Sequence, residues 1–213
     1  MTPEGAGARR TRSRRGEGQQ LREEIIDATE RLLLETESSE AVSIRAVADA
    51  VGVTPPSIYR HFPDKTALIF EVCNRRFSQL DAFLPEAVEG VDDPVAALRA
   101  LGRAYVEFGT SNPEYYRIMF MTRATDTPEE FQGERLGDLV AFGRLVTCVQ
   151  RCIDAGRLRP EHRDAIRAAM MIWPQVHGLT SLFVSKPNFP WPDRDRFVDD
   201  YLDACLRGVV AEP

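Results

Sequence analysis

The chain has 213 residues, 43% of them hydrophobic and 28% charged, with a formal net charge of −6. That apolar content is ample for a packed core and excludes an intrinsically disordered polymer. No apolar run reaches the roughly 18 residues a membrane span needs, and the N-terminal MTPEGAGARRTRSRRGEGQQ lacks the apolar centre of a signal peptide, so a cytoplasmic protein without membrane partners is expected.

The net charge hides an asymmetry. Residues 1–80 carry 12 basic and 12 acidic side chains, so the whole acidic excess falls in residues 81–213, with 15 against 21. Within residues 1–22, six arginines (Arg9, Arg10, Arg12, Arg14, Arg15, Arg22) face two glutamates (Glu4, Glu17). Residues 1–20 therefore read as a disordered basic tail, either merely solvated or adding phosphate contacts beside DNA.

From Leu21 onward the apolar pattern is helical, with no alternation of period two, and the breaks fall at Gly, Pro, Asn and Asp. Leu21, Ile25, Ala28 and Leu32 define a first helix ending between Glu35 and Ser38. Ser43 caps a short second helix, IRAVADAV, that stops at Gly52. A third spans PPSIYRHF. Asp64 caps a long fourth helix, striped by Ile69, Cys73, Phe77, Leu80 and Leu84 as far as Pro85.

The second part continues the pattern. Asp93-Pro94 starts a helix with Val95, Leu98, Leu101, Tyr105 and Phe108 on one face, and Asn112-Pro113 starts the aromatic EYYRIMF. Pro128 opens a helix through Leu139, Phe142, Val146, Val149 and Ile153 to Gly156; Pro160 opens the next, to about Ser185; a last one runs from about Asp193 to Val210. The sum is an all-α fold of about nine helices: an N-terminal three-helix unit joined by a long helix to a C-terminal helical bundle. The expected boundaries are 1–20, 21–70 and 71–213.

The last two helices each carry two apolar stripes, for example Ile172, Val176, Leu179 and Phe183 beside Met170, Trp173, His177, Thr180 and Val184. One stripe serves the domain; the second asks for a partner, most economically a second copy. The expected homodimer face is Val176, Leu179, Phe183, Val198, Leu202, Cys205 and Val209. The alternative is a loop, 185–193, that covers the stripes within one chain.

Residues 43–62 combine a short amphipathic helix, a turn at Gly52-Val53-Thr54 and a second short helix, with Ile44, Val47, Ala48, Val53, Ile58 and Phe62 on the buried side: a helix-turn-helix. The run V-A-D-A-V-G-V-T-x-x-S-I-Y-R-H-F-P-D-K-T-A-L resembles the DNA-binding region of TetR-family transcriptional regulators, over about residues 21–80. Pro55 and Pro56 suit a first helical turn, whose N–H groups lack intrahelical partners. With Thr54 as N-cap, its hydroxyl caps only the Ser57 N–H, because Pro56 has none. The second helix of such a motif lies in the major groove of double-stranded DNA. Pro55, Pro56, Ser57 and Arg60 are expected near bases, and Thr54, Tyr59, His61 and Lys65 near the backbone. The resemblance implies phosphate contacts for Tyr59 and Lys65, and a reading or clamping role for Arg45. A dimer implies an inverted-repeat operator with half-sites about one or more helical turns apart.

In the second part Tyr105, Phe108, Tyr115, Tyr116, Met119, Phe120, Phe142, Val146 and Trp173 fall on converging stripes, and helical bundles hold ligands between their helices. Packed core is the competing reading of the same residues. NPEYYRIMF followed by WPQVHG resembles the C-terminal domain of a TetR subfamily marked by Trp, His and Gly, over roughly residues 93–210. His177 is then either a ligand contact or a hydrogen-bonded core residue, and Pro174 departs from the pattern, freeing the Met170 carbonyl and kinking the helix. The family implies a regulator, most often a repressor released by a small apolar or aromatic effector; an activator, or a DNA-binding protein without effector, shares the motif. A helical-bundle enzyme is the rival of another class. The thiols Cys73, Cys148, Cys152 and Cys205 and the histidines give no metal-ligand spacing, and no catalytic or phosphate-loop motif is present, so no catalysis, cofactor or metal is expected.

Overall fold

A computed structural model describes residues 17–36, 38–121 and 140–211. Among them lie nine α-helices: α1 (Glu17–Thr36), α2 (Ile44–Val51), α3 (Pro55–Tyr59), α4 (Lys65–Phe83), α5 (Pro94–Ser111), α6 (Pro113–Met121), α7 (Val140–Asp154), α8 (Ala165–Ser185) and α9 (Arg194–Arg207). The fold is all-α, and the only pairing of extended backbone among the described residues is an isolated bridge between Leu158 and Val210. Residues 1–16 of the expected tail, the helix opening at Pro128 and the stripe position Leu139 lie outside the described residues, whereas residues 17–20, also expected in the tail, form the first turn of α1.

Most helix ends sit where local chemistry puts them. Ser43 is extended and its hydroxyl accepts the Ala46 N–H, while Gly52 ends α2 with φ 77°, a left-handed conformation that costs glycine nothing. The Asp64 carboxylate accepts the Ala67 N–H at 2.8 Å, and Asp93 accepts from Ala96 at 2.8 Å. Three ends differ from expectation. Helix α3 stops at Tyr59 instead of Phe62, because the His61 and Phe62 N–H groups both turn back to the Ile58 carbonyl. Pro160–His162 makes only a short 3-10 turn, and α8 begins at Ala165 because Asp164 takes up the Arg167 N–H. The last helix stops at Arg207 instead of near Val210, since the Val209 carbonyl accepts from the Arg159 N–H and the Ala211 N–H donates to Arg157.

The chain divides into two compact units. In the first, which runs to Arg75 and includes Ile118, a core forms from Ile25, Ile26 and Leu33 of α1, Val47 and Ala48 of α2, Ile58 of α3, Phe62, Leu68 and Val72, with Ile118. Helix α1 packs on α2, and α2 on α3. Arg75 bridges Glu23 and Asp27, and Arg22 pairs with Glu71, so α1 and the start of α4 are also tied by charge.

In the second unit, Arg76–Arg117 together with the described residues from 140 onward, α5 is the central helix and packs against α7, α8 and α9. Its arginines reach α9: Arg99 pairs with Asp199 and Asp203, and Arg103 with Asp195 and Asp199. Gly109 lets α5 approach closely, because a Cβ there would collide with the Thr180 side chain and lie 2.9 Å from the Tyr116 ring. Arg144 of α7 grips Asp81, and that guanidinium holds the carboxylate below its usual range. Pro174 sits inside α8, whose helical run is unbroken from Ala165 to Ser185.

Candidate nucleic-acid interface and sensing core

The second helix of the motif starts abruptly. Thr54 is extended (φ −93°, ψ 149°), and Pro55 and Pro56 occupy the first two helical positions. Here the expected cap does not form: the Ser57 N–H donates to the Thr54 backbone carbonyl at 2.8 Å, leaving the Thr54 hydroxyl 3.2 Å from the Ser57 hydroxyl. Ser57 in turn accepts a bond of 3.1 Å from Nη2 of Arg60.

Ile58 is fully buried, which fixes the rotation of α3 and turns Pro56, Tyr59 and Arg60 outward; Tyr59 is 53% exposed. Arg45 on α2 and Thr54 are exposed, whereas Pro55, Ser57 and His61 are half-buried. Burial, then the adjacent Arg60 and Arg22 guanidiniums, lower the His61 pKa, so its ring is neutral near pH 7. Lys65 donates to the Ser39 carbonyl at 3.0 Å, a partner the sequence did not suggest. An ammonium has three N–H donors, so two remain for other acceptors.

In the second unit three of the predicted aromatic residues, Tyr105, Tyr116 and Trp173, meet around one histidine. The Tyr105 and Tyr116 hydroxyls lie 2.9 and 2.8 Å from Nδ1 of His177, and the Tyr116 hydroxyl also reaches the His177 carbonyl and the Ser181 hydroxyl, each at 3.1 Å. Trp173 lies against the same imidazole, with centroids 5.4 Å apart, and meets Phe142 edge-on at 6.0 Å. Phe108 packs on Phe83. Burial lowers the His177 pKa and raises those of both tyrosines, so the ring is neutral and the phenols keep their protons. His177 is thus a hydrogen-bonded residue of the apolar interior, whatever further contact it makes.

Tyr115 stacks on the buried Arg76 guanidinium, 3.8 Å from ring centroid to carbon, and Arg76 donates to Gln79 at 2.7 Å. Val146 is half-buried on α7. Met119 and Phe120 belong to the first unit. The sequence reading missed Arg76 and Ser181. Ser181 carried a signal, since it stands one turn beyond His177 on the same helical face. Arg76 carried none, because a charged residue on a long helix reads as solvated.

Residues 25–72 match the family described as bacterial regulatory proteins, tetR family, and residues 98–207 match the tetracyclin repressor-like C-terminal domain. The chain belongs to the TetR family.

Among relatives of this TetR-family chain, the nucleoid occlusion factor SlmA of Vibrio vulnificus is 27% identical over 190 residues, covering 83% of this chain and 89% of the relative. The HTH-type transcriptional activator FasR of Mycolicibacterium smegmatis is 25% identical over 170 residues, covering 80% and 71%. The structure of SmeT, described as the repressor of the Stenotrophomonas maltophilia multidrug efflux pump SmeDEF, superposes with a TM-score of 0.66 at 25% identity, covering 90% of this chain and 91% of that one. This TetR-family protein is accordingly a DNA-binding transcriptional regulator and not an enzyme. Among the described residues no group of His, Cys, Asp or Glu is arranged to hold a metal ion, and no helix is long and apolar enough to cross a membrane.

One expectation for this regulator needs correcting. Val176, Leu179, Phe183, Val198, Leu202, Cys205 and Val209 are all buried within the single chain, so they do not form an outward face. They lie on the inward stripes where α8 and α9 pack on α5 and on each other, and Trp191 of the intervening loop covers Phe183 at 4.7 Å. The outward face of α8 carries Met171, Pro174 and Leu182, with Gly178 half-exposed among them. Neither stripe named from the sequence is the outward one: Thr180 and Val184 of the second are buried as well, and the exposed line of Met171, Pro174 and Leu182 belongs to neither.

Proposed function

We propose that this TetR-family regulator is a ligand-responsive repressor that binds a palindromic operator as a homodimer and is released by a small apolar or aromatic effector. In this reading residues 21–70 bind DNA and residues 71–213 sense ligand and dimerise, in the cytoplasm, with the arginine-rich tail adding phosphate contacts. The observation that carries it is the outward face of α3, where Tyr59 and Arg60 stand exposed opposite the buried Ile58. Such a helix offers its side chains to the major groove while flanking groups such as Lys65 hold phosphates. SmeT, a repressor by its description, supports the repressor sense.

The effector arm is supported by polar hydroxyls and an imidazole set among aromatic rings, groups of the kind that hold an apolar ligand with one or two hydrogen-bonding groups. The dimer is supported by the outward α8 stripe of Met171, Pro174 and Leu182, which a second copy would cover. Ligand acts only by binding the DNA-free state more tightly than the DNA-bound one.

The test uses the full chain and double-stranded DNA selected from a randomised library. A bound inverted repeat, a mass of two chains by light scattering, and loss of binding when a compound that binds the protein is added are the expected results. Compounds that bind without changing DNA affinity would remove the effector arm. FasR is an activator by its description and supports a second reading, with the same contacts and opposite output; a reporter gene downstream of the selected site separates the two.

A further inference from the structure

We infer that Arg60 reads a guanine in each half-site, and that Ser57 and Thr54 are positioning residues that hold its guanidinium ready. The inference rests on the reading of α3 as the groove-facing helix and names which base it recognises.

Three residues of α3 and its C-terminal cap turn outward: Pro56, Tyr59 and Arg60. Pro56 has neither a backbone N–H nor a polar side chain. Tyr59 has one hydroxyl, which donates and accepts and so does not by itself distinguish bases. Arg60 carries five N–H donors and no acceptor. A donor-only fork matches guanine, which presents the N7 and O6 acceptors side by side in the major groove, whereas adenine offers N7 beside an N6 donor that repels it.

A long exposed side chain normally samples many rotamers and loses that freedom on binding. Arg60 is already restrained. Its Nη2 donates to the Ser57 hydroxyl at 3.1 Å, and that hydroxyl lies 3.2 Å from the Thr54 hydroxyl. One donor of five is used, so a two-pronged contact remains available. The arrangement arises because Ser57 gives its N–H to the Thr54 carbonyl and Pro56 has none to offer, leaving both hydroxyls free for side-chain partners. Ser57 sits half-buried behind the outward face, which suits a support and not a base contact.

The experiment is selection from a randomised double-stranded DNA library by the full-length wild-type chain and by R60A, R60K, S57A and S57T, followed by affinity measurement on the selected site and on its guanine-to-adenine variant. Wild type is expected to select an inverted repeat with one guanine per half-site, and to prefer it over adenine by roughly ten- to a hundredfold. R60A is expected to lose the preference at that position only, while the remaining positions stay selected. S57A is expected to narrow the guanine preference by several-fold, and S57T, which keeps the hydroxyl, to restore it. A structural defect would instead weaken all sequences alike, and unchanged helical circular dichroism checks the fold. An R60A chain that keeps the same guanine preference overturns the inference while leaving the DNA-binding reading intact. Equal discrimination by S57A and wild type overturns the positioning role. A wild-type chain that enriches no sequence overturns both this inference and the operator reading beneath it.

Discussion

Tyr116 and His177 meet at two points of one residue: the phenolic hydroxyl lies 2.8 Å from the imidazole Nδ1 and 3.1 Å from the same residue's carbonyl oxygen. That pairing joins α6 to the middle of α8, and Ser181 extends it by a further bond. Tyr116 is 1% exposed, so water does not replace what the hydroxyl supplies. The substitution Tyr116→Phe keeps the ring and removes the hydroxyl. It is expected to lower stability by about 1–3 kcal/mol, since buried polar partners are left short of a bond. A urea midpoint equal to that of wild type, at unchanged slope, would contradict it.

Histidine burial gives a pH dependence with a defined sign. Burial lowers the His177 pKa below its ordinary 6.5, so the unfolded chain takes up a proton at higher pH than the folded one. Stability is therefore fully present above pH 6.5 and falls as pH drops from there through the folded value. His61 is lowered in the same sense and adds to the decline. The Asp81 carboxylate, held down by its hydrogen bonds with Arg144, acts in a separate window below its ordinary 3.8. Replacing His177 by Gln should flatten part of the decline below pH 6.5, measured as thermal midpoint against pH; an identical profile would show that the imidazole is not responsible.

Two glycines should respond oppositely to alanine. At Gly109 a methyl collides with Thr180 and lies 2.9 Å from the Tyr116 ring, so Gly109→Ala is expected to destabilise by about 1–3 kcal/mol through overpacking. At Gly178 nothing lies within 4 Å, and Gly178→Ala in the helix interior should stabilise the single chain by up to about 1 kcal/mol. Because Gly178 sits among the outward residues of α8, the same methyl is expected to weaken self-association. Sedimentation at several concentrations measures that effect apart from folding.

On DNA, Tyr59→Phe and Lys65→Ala should both weaken binding to all sequences alike, without altering which base is preferred. Lys65→Ala should also reduce the slope of log affinity against log salt by about 0.9 if the ammonium neutralises one phosphate. An unchanged slope would mean that Lys65 serves only its bond to Ser39.

The legible part of the fold was the part decided within a few residues. Ser43, Asp64 and Asp93 announce helix starts, and Gly52 a stop, because a cap needs only a short side chain or a permissive backbone at the right place. The aromatic cluster was legible in part, since helical spacing puts Tyr105 and Tyr116 on inward faces toward His177, while Trp173 joins them from the exposed edge of α8. Which line of α8 faces outward was not, because that depends on where α5 and α9 lie and not on the period of α8 itself: Met171, Pro174 and Leu182 belong to neither expected stripe. The same holds for Lys65, whose partner Ser39 is 26 positions away in the chain. Thr54 failed for a subtler reason: the donor it was expected to cap had a nearer backbone acceptor.

The proline pair at the start of α3 has a consequence for the thermodynamics of recognition. A five-residue helix is too short to be held rigid by its own ladder of hydrogen bonds. Here two pyrrolidine rings fix two φ torsions of its first turn covalently, in the unfolded chain as well as the folded one. In the proposed role of α3 as the reading helix, little disorder is then lost on meeting DNA, and the free energy of its contacts goes to discriminating sequences instead of to organising the surface that reads them.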